Sequence, residues 1–252
     1  MPKFTKQDFF KSFKNQAHVN QLEKIERRFE TFYNETSNTT EMTIYGIIGN
    51  SWWEDSISAS DVDGVLKNTT GNILIYLNSP GGDAADGIAI YNRLMDYKAK
   101  HNTKVTVRVD GWACSAASLF PAAADETIMG LGSMLMIHEA STIVWGTKRD
   151  MRKEADLLEQ LEEGIIDIYM TKANASREEI RNMVDNETWF SAQRAIEIGF
   201  ATSTIASNRD DEMTQLKSQL LSLQTEFDNY KNQNQEPPPL PANTGKKRRV
   251  LF

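Results

Sequence analysis

The sequence predicts an α/β domain between residue 42 and about residue 205, where short β-rich runs alternate with helical patterns. Forty per cent of the 252 residues are hydrophobic, which is enough for a substantial core. The flanking regions differ from this domain, because apolar residues at helical spacing precede it and a heptad pattern follows it. We therefore expect a central domain with a helical lead-in and a helical or disordered tail.

Composition and charge narrow the class of protein. No run approaches the roughly 20 apolar residues of a membrane helix, and the first residues lack the apolar centre of a signal peptide. The single cysteine, Cys114, cannot form an internal disulfide, which fits a reducing compartment. The net charge of −7 argues against a broad nucleic-acid surface. We expect a cytoplasmic protein without nucleic-acid or membrane partners.

Residues 1–41 are predicted to form the helical lead-in. Leu22, Ile25, Phe29 and Phe32 are three, four and three residues apart, which is the spacing of one helical face. The stretch NETSNTTE, residues 34–41, is typical of a polar loop that ends this segment.

The domain itself is predicted to span residues 42–207. Strands are expected at MTIYGIIG, NILIYLN, KVTVRV, ETIMG and MLMIH. Helices are expected at 83–100, 115–124 and 148–172, and after the capping box SREE at 176–179. In the first of these, Asp83 is the candidate N-cap, and Ile88, Tyr91, Leu94 and Met95 share one face.

Two further segments follow the domain. Within residues 208–235, heptad spacing joins Met213, Leu216, Leu220, Leu223, Phe227 and Tyr230. This pattern predicts either a short coiled coil or an amphipathic helix that lies on the domain. Residues 236–252 combine a proline-rich linker with the basic end KKRRVLF.

The stretch DGWACSAASLF, residues 110–120, combines tiny side chains with Cys114, Ser115 and Ser118. A serine at a strand-to-helix turn projects its hydroxyl group, and such tight turns tolerate only small neighbours. The stretch therefore fits a nucleophilic serine. The alternative is a helix packed closely on the sheet, whose serines bond their own backbone.

Residues from three other segments complete a candidate catalytic set. Gly81 and Gly82 in NSPGGD allow backbone N–H groups to approach a ligand, although a simple strand-to-helix turn explains them equally. His138 ends an apolar strand, where a general base or a structural histidine fits. Asp185 and Glu187 are candidate acids or solvated surface carboxylates. No second His or Cys has metal-ligand spacing, so we expect neither metal nor cofactor.

Four motifs in order, NSPGGD, DGWACSAAS, MLMIHEA and ETWFSAQRAIEIGFA, resemble the ClpP family of serine peptidases over residues 42–205. The likeness extends to YGIIGNSWWEDSISASD and is greatest to the ClpP-like head maturation (prohead) proteases of tailed phages and prophages. The resemblance implies that Ser115 is the nucleophile and His138 the general base. It also implies that the backbone N–H groups of Gly82 and Ala116 form the oxyanion hole.

The third member of the triad departs from the family pattern. The family usually has aspartate two residues before the aromatic position matched by Trp189, and this sequence has Glu187 there. Glutamate also serves in some triads. The resemblance thus implies Glu187 as the acid, with Asp185 as the fallback. It further implies a structural role for Ser118.

The resemblance also implies an architecture and an activity. The fold would be the ClpP/crotonase superhelix of β-β-α units, and helix 148–172 would mediate assembly into a heptameric ring or double ring. The activity would be cleavage of capsid or scaffold proteins during phage head maturation, inside immature capsids in the host cytoplasm. Alternatives are an ATPase-dependent ClpP-type subunit, a non-enzymatic scaffold on the same fold, and a crotonase-like acyl-CoA enzyme.

Overall fold

The strands of the computed structural model, which describes residues 5–49 and 56–233, form one large and one small sheet. The small sheet pairs β3 (Ile47–Ile48) with β4 (Ser56–Ile57). The large sheet contains β1 (Arg28–Asn34), β2 (Thr39–Tyr45), β5 (Asn72–Ser79), β6 (Val105–Cys114), β7 (Glu126–Met129), β8 (Met134–Ile137), β9 (Thr188–Ser191) and β10 (Ser203–Thr204).

The large sheet is mostly parallel. Its order is β1-β2-β5-β6-β7-β10, and β8 pairs with the last residues of β6 and with β9. Only the β1–β2 and β8–β9 pairs are antiparallel. The helices of the described residues are α1 (Lys6–Lys11), α2 (Val19–Leu22), α3 (Ala59–Lys67), α4 (Ala84–His101), α5 (Leu119–Ala123), α6 (Lys148–Met170), α7 (Arg177–Asp185), α8 (Ala192–Glu197) and α9 (Ile205–Gln233).

The alternation of strands and helices confirms the α/β prediction, and the mixed sheet with its helices is consistent with the ClpP-like fold. Alternate residues of β5 and β6 are fully buried, as a sheet covered by helices requires. Asp83 caps α4 by accepting the N–H of Asp86 at 3.0 Å, as expected. Of the four residues predicted to share one face of α4, Tyr91 and Leu94 are buried and Met95 is exposed, and Tyr97 is buried as well.

The prediction of one helical face through Leu22, Ile25, Phe29 and Phe32 is wrong. Phe29 and Phe32 lie in β1, which forms a hairpin with β2, and Phe29 lies opposite Ile44. The predicted loop 34–41 is likewise shorter, since Asn38 takes a left-handed conformation and β2 begins one residue later. Pairing with β2 satisfies the backbone of β1 and overrides the local three–four spacing.

Residues from Arg209 onward group separately from the preceding part of the chain. The six heptad residues lie on α9 and their side chains are exposed. The proline-rich linker and basic end predicted at 236–252 lie outside the described residues. Among the helices that the structure describes, none has the length and apolar content needed to span a bilayer.

Candidate active site

The turn that follows β6 carries Ser115 in a strained conformation. Ser115 begins a 3₁₀ turn, Ser115–Ser118, and its φ of 52° lies in the left-handed region. A residue other than glycine rarely adopts this region unless the surrounding structure enforces it. The preceding Ala113 and Cys114 are fully buried, so the turn is held rigidly at the end of β6.

Close packing of the NSPGGD loop requires glycine at positions 81 and 82. A Cβ at Gly81 would lie 2.5 Å from the carbonyl oxygen of Cys114 and 2.6 Å from Cβ of Ser115. A Cβ at Gly82 would lie 2.0 Å from the carbonyl oxygen of Ile48. Both glycines also have positive φ values. The absence of a side chain at Gly81 therefore lets the NSPGGD loop pack against Ser115, and its absence at Gly82 lets the loop pack against Ile48.

Parallel pairing of β6 with β8 brings Ser115 and His138 together. Cys114 pairs with Met136, so both strands end at the same edge of the sheet. Ser115 and His138 follow within two residues of this pair, and Ser115 Oγ lies 2.9 Å from His138 Nε2. The distance is that of a hydrogen bond, and the hydroxyl donates in the tautomer whose Nε2 carries no proton.

Ser118 and Cys114 have different surroundings from Ser115. The buried Ser118 hydroxyl donates to the Ser115 carbonyl at 2.6 Å and lies 2.6 Å from the Tyr169 hydroxyl. Burial raises the pKa of the Cys114 thiol well above its usual range, with a smaller contribution from the charge of Glu187. Ser118 is thus engaged in helix packing, and Cys114 stays protonated and buried.

Burial lowers the pKa of His138 to about 4. The charges of Glu187 and Glu139 oppose this shift, whereas Lys14 adds to it. The imidazole is therefore neutral at pH 7, which is the state that can accept a proton from a serine.

We expect this buried imidazole to make stability depend on pH. Between pH 6.5 and 4 the unfolded chain binds a proton at His138 that the folded chain does not bind, so the free energy of unfolding falls as pH falls. Between pH 7 and 4.5 the loss should be about 2–3 kcal/mol larger in the wild type than in His138→Gln. Urea denaturation at the two pH values measures this difference, and equal losses in the two proteins would refute a depressed pKa.

Glu187 is buried, and its carboxylate is held by the N-terminal part of the chain. It accepts hydrogen bonds from the backbone N–H of Lys14, from that of Asn15 at 2.8 Å, and from Trp189 Nε1 at 3.1 Å. Its own φ is 51°. No hydrogen bond between Glu187 and His138 is present among the described residues, although the charge of Glu187 acts on the pKa of His138.

The second candidate acid, Asp185, lies at the end of α7 in a more exposed place. Its carboxylate is 3.9 Å from Arg181, and its backbone carbonyl accepts a hydrogen bond from Lys14 Nζ. The structure thus separates the two candidates. Glu187 is buried, and its charge acts on the pKa of His138. Asp185 is more exposed, and its carboxylate lies near Arg181.

Gly82 and Ala116 both lie beside Ser115. In the bridge between Ile48 and Gly82, the N–H of Ile48 donates to the carbonyl of Gly81 at 2.8 Å, and the N–H of Asp83 donates to the carbonyl of Ile48 at 2.9 Å. The N–H of Gly82 takes no part in this pairing. Ala116 is the second residue of the 3₁₀ turn, where backbone N–H groups precede the first intrahelical bonds. Gly82, Ala116 and Ser115 line the same cavity.

A cavity of about 630 Å³ opens beside these groups. Ser115, Ala116, His138 and Gly82 line one part of it, and residues 139–145 and α6 line another. Phe9 of α1 and the neighbouring Ser12 also contribute to its wall. This N-terminal contribution was not predicted from the sequence, where the closely spaced phenylalanines of FFKSF, residues 9–13, were the available signal.

The loop after His138 is fixed by Glu162 of α6. Glu162 accepts the backbone N–H of Ala140 at 2.9 Å and pairs with Arg181 at 2.7 Å. Burial raises the pKa of Glu162, while Ala140 and Arg181 act in the opposite direction. This connection ties the loop at the cavity to α6 and α7.

Comparison with known proteins shows the family to which the chain belongs. Residues 62–209 match the Clp protease family. The chain is 30% identical over 146 residues to the ATP-dependent Clp protease proteolytic subunit 1 of Protochlamydia amoebophila, which covers 56% of this chain and 69% of the relative. The subunit 1 proteins of Streptomyces avermitilis and Chlamydia abortus are 29% and 28% identical, covering 62% and 58% of this chain and 73% and 76% of their own lengths. The chain belongs to the Clp protease family and is a serine-type peptidase.

Proposed function

We propose that the chain is an endopeptidase in which Ser115 is the nucleophile and His138 the general base. The observation that carries this assignment is the 2.9 Å contact between Ser115 Oγ and His138 Nε2 beside a cavity. His138 is neutral at pH 7, which is the protonation state that can accept the serine proton.

The proposed mechanism proceeds through an acyl-enzyme. Ser115 Oγ attacks the peptide carbonyl carbon while its proton passes to Nε2 of His138, and the N–H groups of Gly82 and Ala116 bind the oxyanion. The C–N bond then breaks and Nε2 protonates the leaving amine. A water molecule, deprotonated by the same imidazole, hydrolyses the ester and restores the hydroxyl.

We assign the third position to Glu187. Its buried negative charge favours the imidazolium that forms at His138 in each step. The carboxylate of Asp185 is the fallback, but it is more exposed and lies near Arg181.

We propose further that the substrates are capsid and scaffold proteins of a phage, cleaved during head maturation in the host cytoplasm. Support comes from the four ordered motifs and from the tail, which contains heptads, a proline-rich linker and a basic end. Assembly into a heptameric ring or double ring is part of the proposal. Trp145, Met151 and Leu157, on α6 and the loop before it, are exposed apolar side chains that a neighbouring subunit would cover.

The tail supplies a test of this role. We expect a chain truncated after Ser207 to keep its ring assembly and to hydrolyse a small peptide at nearly the wild-type rate. The same chain should not enter immature capsids, because it lacks the heptad helix and the four cations of KKRRVLF. Co-expression with a phage major capsid protein, followed by capsid purification and mass spectrometry, measures packaging and cleavage together.

Ser115→Ala is the matched control, since it should be packaged without shortening the capsid protein. Normal packaging of the truncated chain would contradict the docking role of the tail. Loss of peptide hydrolysis in the truncated chain would show that the tail belongs to the catalytic unit. If the wild-type chain is packaged and hydrolyses peptides but the capsid protein remains uncleaved, the maturation role is contradicted.

A second candidate function is favoured by the names of the relatives, which are proteolytic subunits of ATP-dependent Clp proteases. In that case a Clp ATPase would deliver unfolded chains and the products would be short peptides. Limited cleavage of a capsid protein without any ATPase or ATP favours the head maturation role instead.

A further inference from the structure

Residues 5–22, here named the strap, pack directly behind the catalytic turn. Phe10, Phe13 and Leu22 of the strap are almost fully buried. They form one apolar cluster with Cys114, beside the nucleophile, and Met136, two residues before the histidine. Docking of the strap is therefore driven by burial of large apolar side chains against the same strands that position Ser115 and His138.

The strap also contacts the catalytic groups themselves. The Phe13 ring centroid lies 5.1 Å from that of His138. The next two backbone N–H groups, of Lys14 and Asn15, donate to the two carboxylate oxygens of Glu187. The Lys14 ammonium group pairs with Glu139 at 2.8 Å.

We propose that the strap is an intramolecular inhibitor, which holds the Glu187 carboxylate through the Lys14 and Asn15 amides and so keeps it from hydrogen bonding to His138. This inference rests on the peptidase function proposed above. It assigns a positioning role to a segment outside residues 62–209, the part of the chain that matches the family.

The hydrogen bonds of Glu187 explain how the hold operates. A carboxylate has about four acceptor sites, and here two backbone amides and the Trp189 indole occupy three of them and so fix the direction of the Glu187 carboxylate. In a working triad, the acid accepts the Nδ1–H of the histidine, which fixes the tautomer and stabilises the imidazolium. When the strap leaves, Glu187 loses two donors in a buried place, and the imidazole N–H becomes the replacement partner.

The charges around His138 agree with a state in which the docked strap holds Glu187 away from the imidazole. The groups that act on its pKa are Glu187, Lys14 and Glu139, and burial outweighs all of them. Departure of the strap would remove the Phe13 ring and the Lys14 charge and free the Glu187 carboxylate. Each of these changes favours the protonated imidazole, so the pKa of His138 should rise.

Proline substitution tests the hold, because it removes one backbone donor. Asn15→Pro lacks the N–H that binds Glu187, whereas Asn15→Ala keeps it, and both lose the side-chain contact to the N–H of Ala17. Lys14→Pro against Lys14→Ala repeats the comparison with the other amide. We expect a fluorophosphonate to label Ser115 about tenfold faster or more in each proline variant than in its alanine control.

The second readout is the pKa of each histidine, from deuterium exchange at the imidazole Cε1–H followed peptide by peptide with mass spectrometry. The pKa of His138 should be higher in Asn15→Pro than in Asn15→Ala. Equal or slower labelling in both proline variants would overturn the inhibitory role and leave the peptidase intact. Faster labelling with an unchanged pKa would overturn the hold on Glu187 in favour of simple uncovering of the cavity. A raised pKa of His138 with no labelling of Ser115 in any variant would contradict the peptidase function and would still support the hold of the strap on Glu187.

Discussion

Ser115→Ala is expected to abolish peptide hydrolysis, with a loss of about a millionfold in turnover, because the nucleophile and base of a triad act as one unit. The hydroxyl that lies 2.9 Å from His138 Nε2 is the proposed nucleophile, and alanine has no substitute for it. Fluorophosphonate labelling should occur in wild type, proceed faster in Asn15→Pro, and be absent from Ser115→Ala in either background.

The matched control is Ser118→Ala, since Ser118 is the other serine of the same turn. Its hydroxyl bonds the Ser115 carbonyl and lies near the Tyr169 hydroxyl, so its loss should lower stability by about 1 kcal/mol. Labelling of Ser115 should persist in this variant. Labelling that survives in Ser115→Ala and disappears in Ser118→Ala would transfer the nucleophile to Ser118.

Glu187→Gln is expected to lower peptide turnover by about 10⁴-fold, the size of the effect when a triad acid becomes an amide. The neutral amide cannot stabilise the imidazolium at His138, and it can present a donor where an acceptor is needed. Steady-state hydrolysis of a peptide across a pH series measures the effect. Because the charge of Glu187 acts to raise the pKa of His138, the acid limb of the profile should also move to lower pH.

Asp185→Asn is the control for this position and should change turnover little. Glu187→Asp retains the charge and should recover part of the activity that Glu187→Gln loses, which a merely structural role would not predict. A large loss in Asp185→Asn together with a small loss in Glu187→Gln would assign the acid to Asp185.

Local signals account for the parts of the fold that the sequence predicted. Asp83 and Ser176 cap α4 and α7 with side-chain hydrogen bonds that involve only the next few residues. The strand β1 could not be predicted in this way. Its three–four apolar spacing is equally compatible with a helix, and only pairing with β2 selects the strand.

The contact between Ser115 and His138 was easier to predict than its surroundings. Ser115 and His138 each follow an apolar strand, and strands of a parallel sheet end at a common edge. The partners of Glu187 are backbone N–H groups of Lys14 and Asn15, and a backbone amide has no residue-specific signature in a sequence. The strap was therefore detectable only as an unexplained group of phenylalanines.

The distance along the chain between the strap and its binding site has a consequence for protein synthesis. Lys14 and Glu187 are 173 residues apart, so the ribosome completes the strap long before it makes the carboxylate that the strap holds. At an elongation rate of about 5–20 residues per second, this interval lasts about 9–35 s. The strap can dock fully only when translation of the domain is nearly finished. Each new chain is therefore synthesised without its strap docked, and docking of the strap is among the last steps of folding.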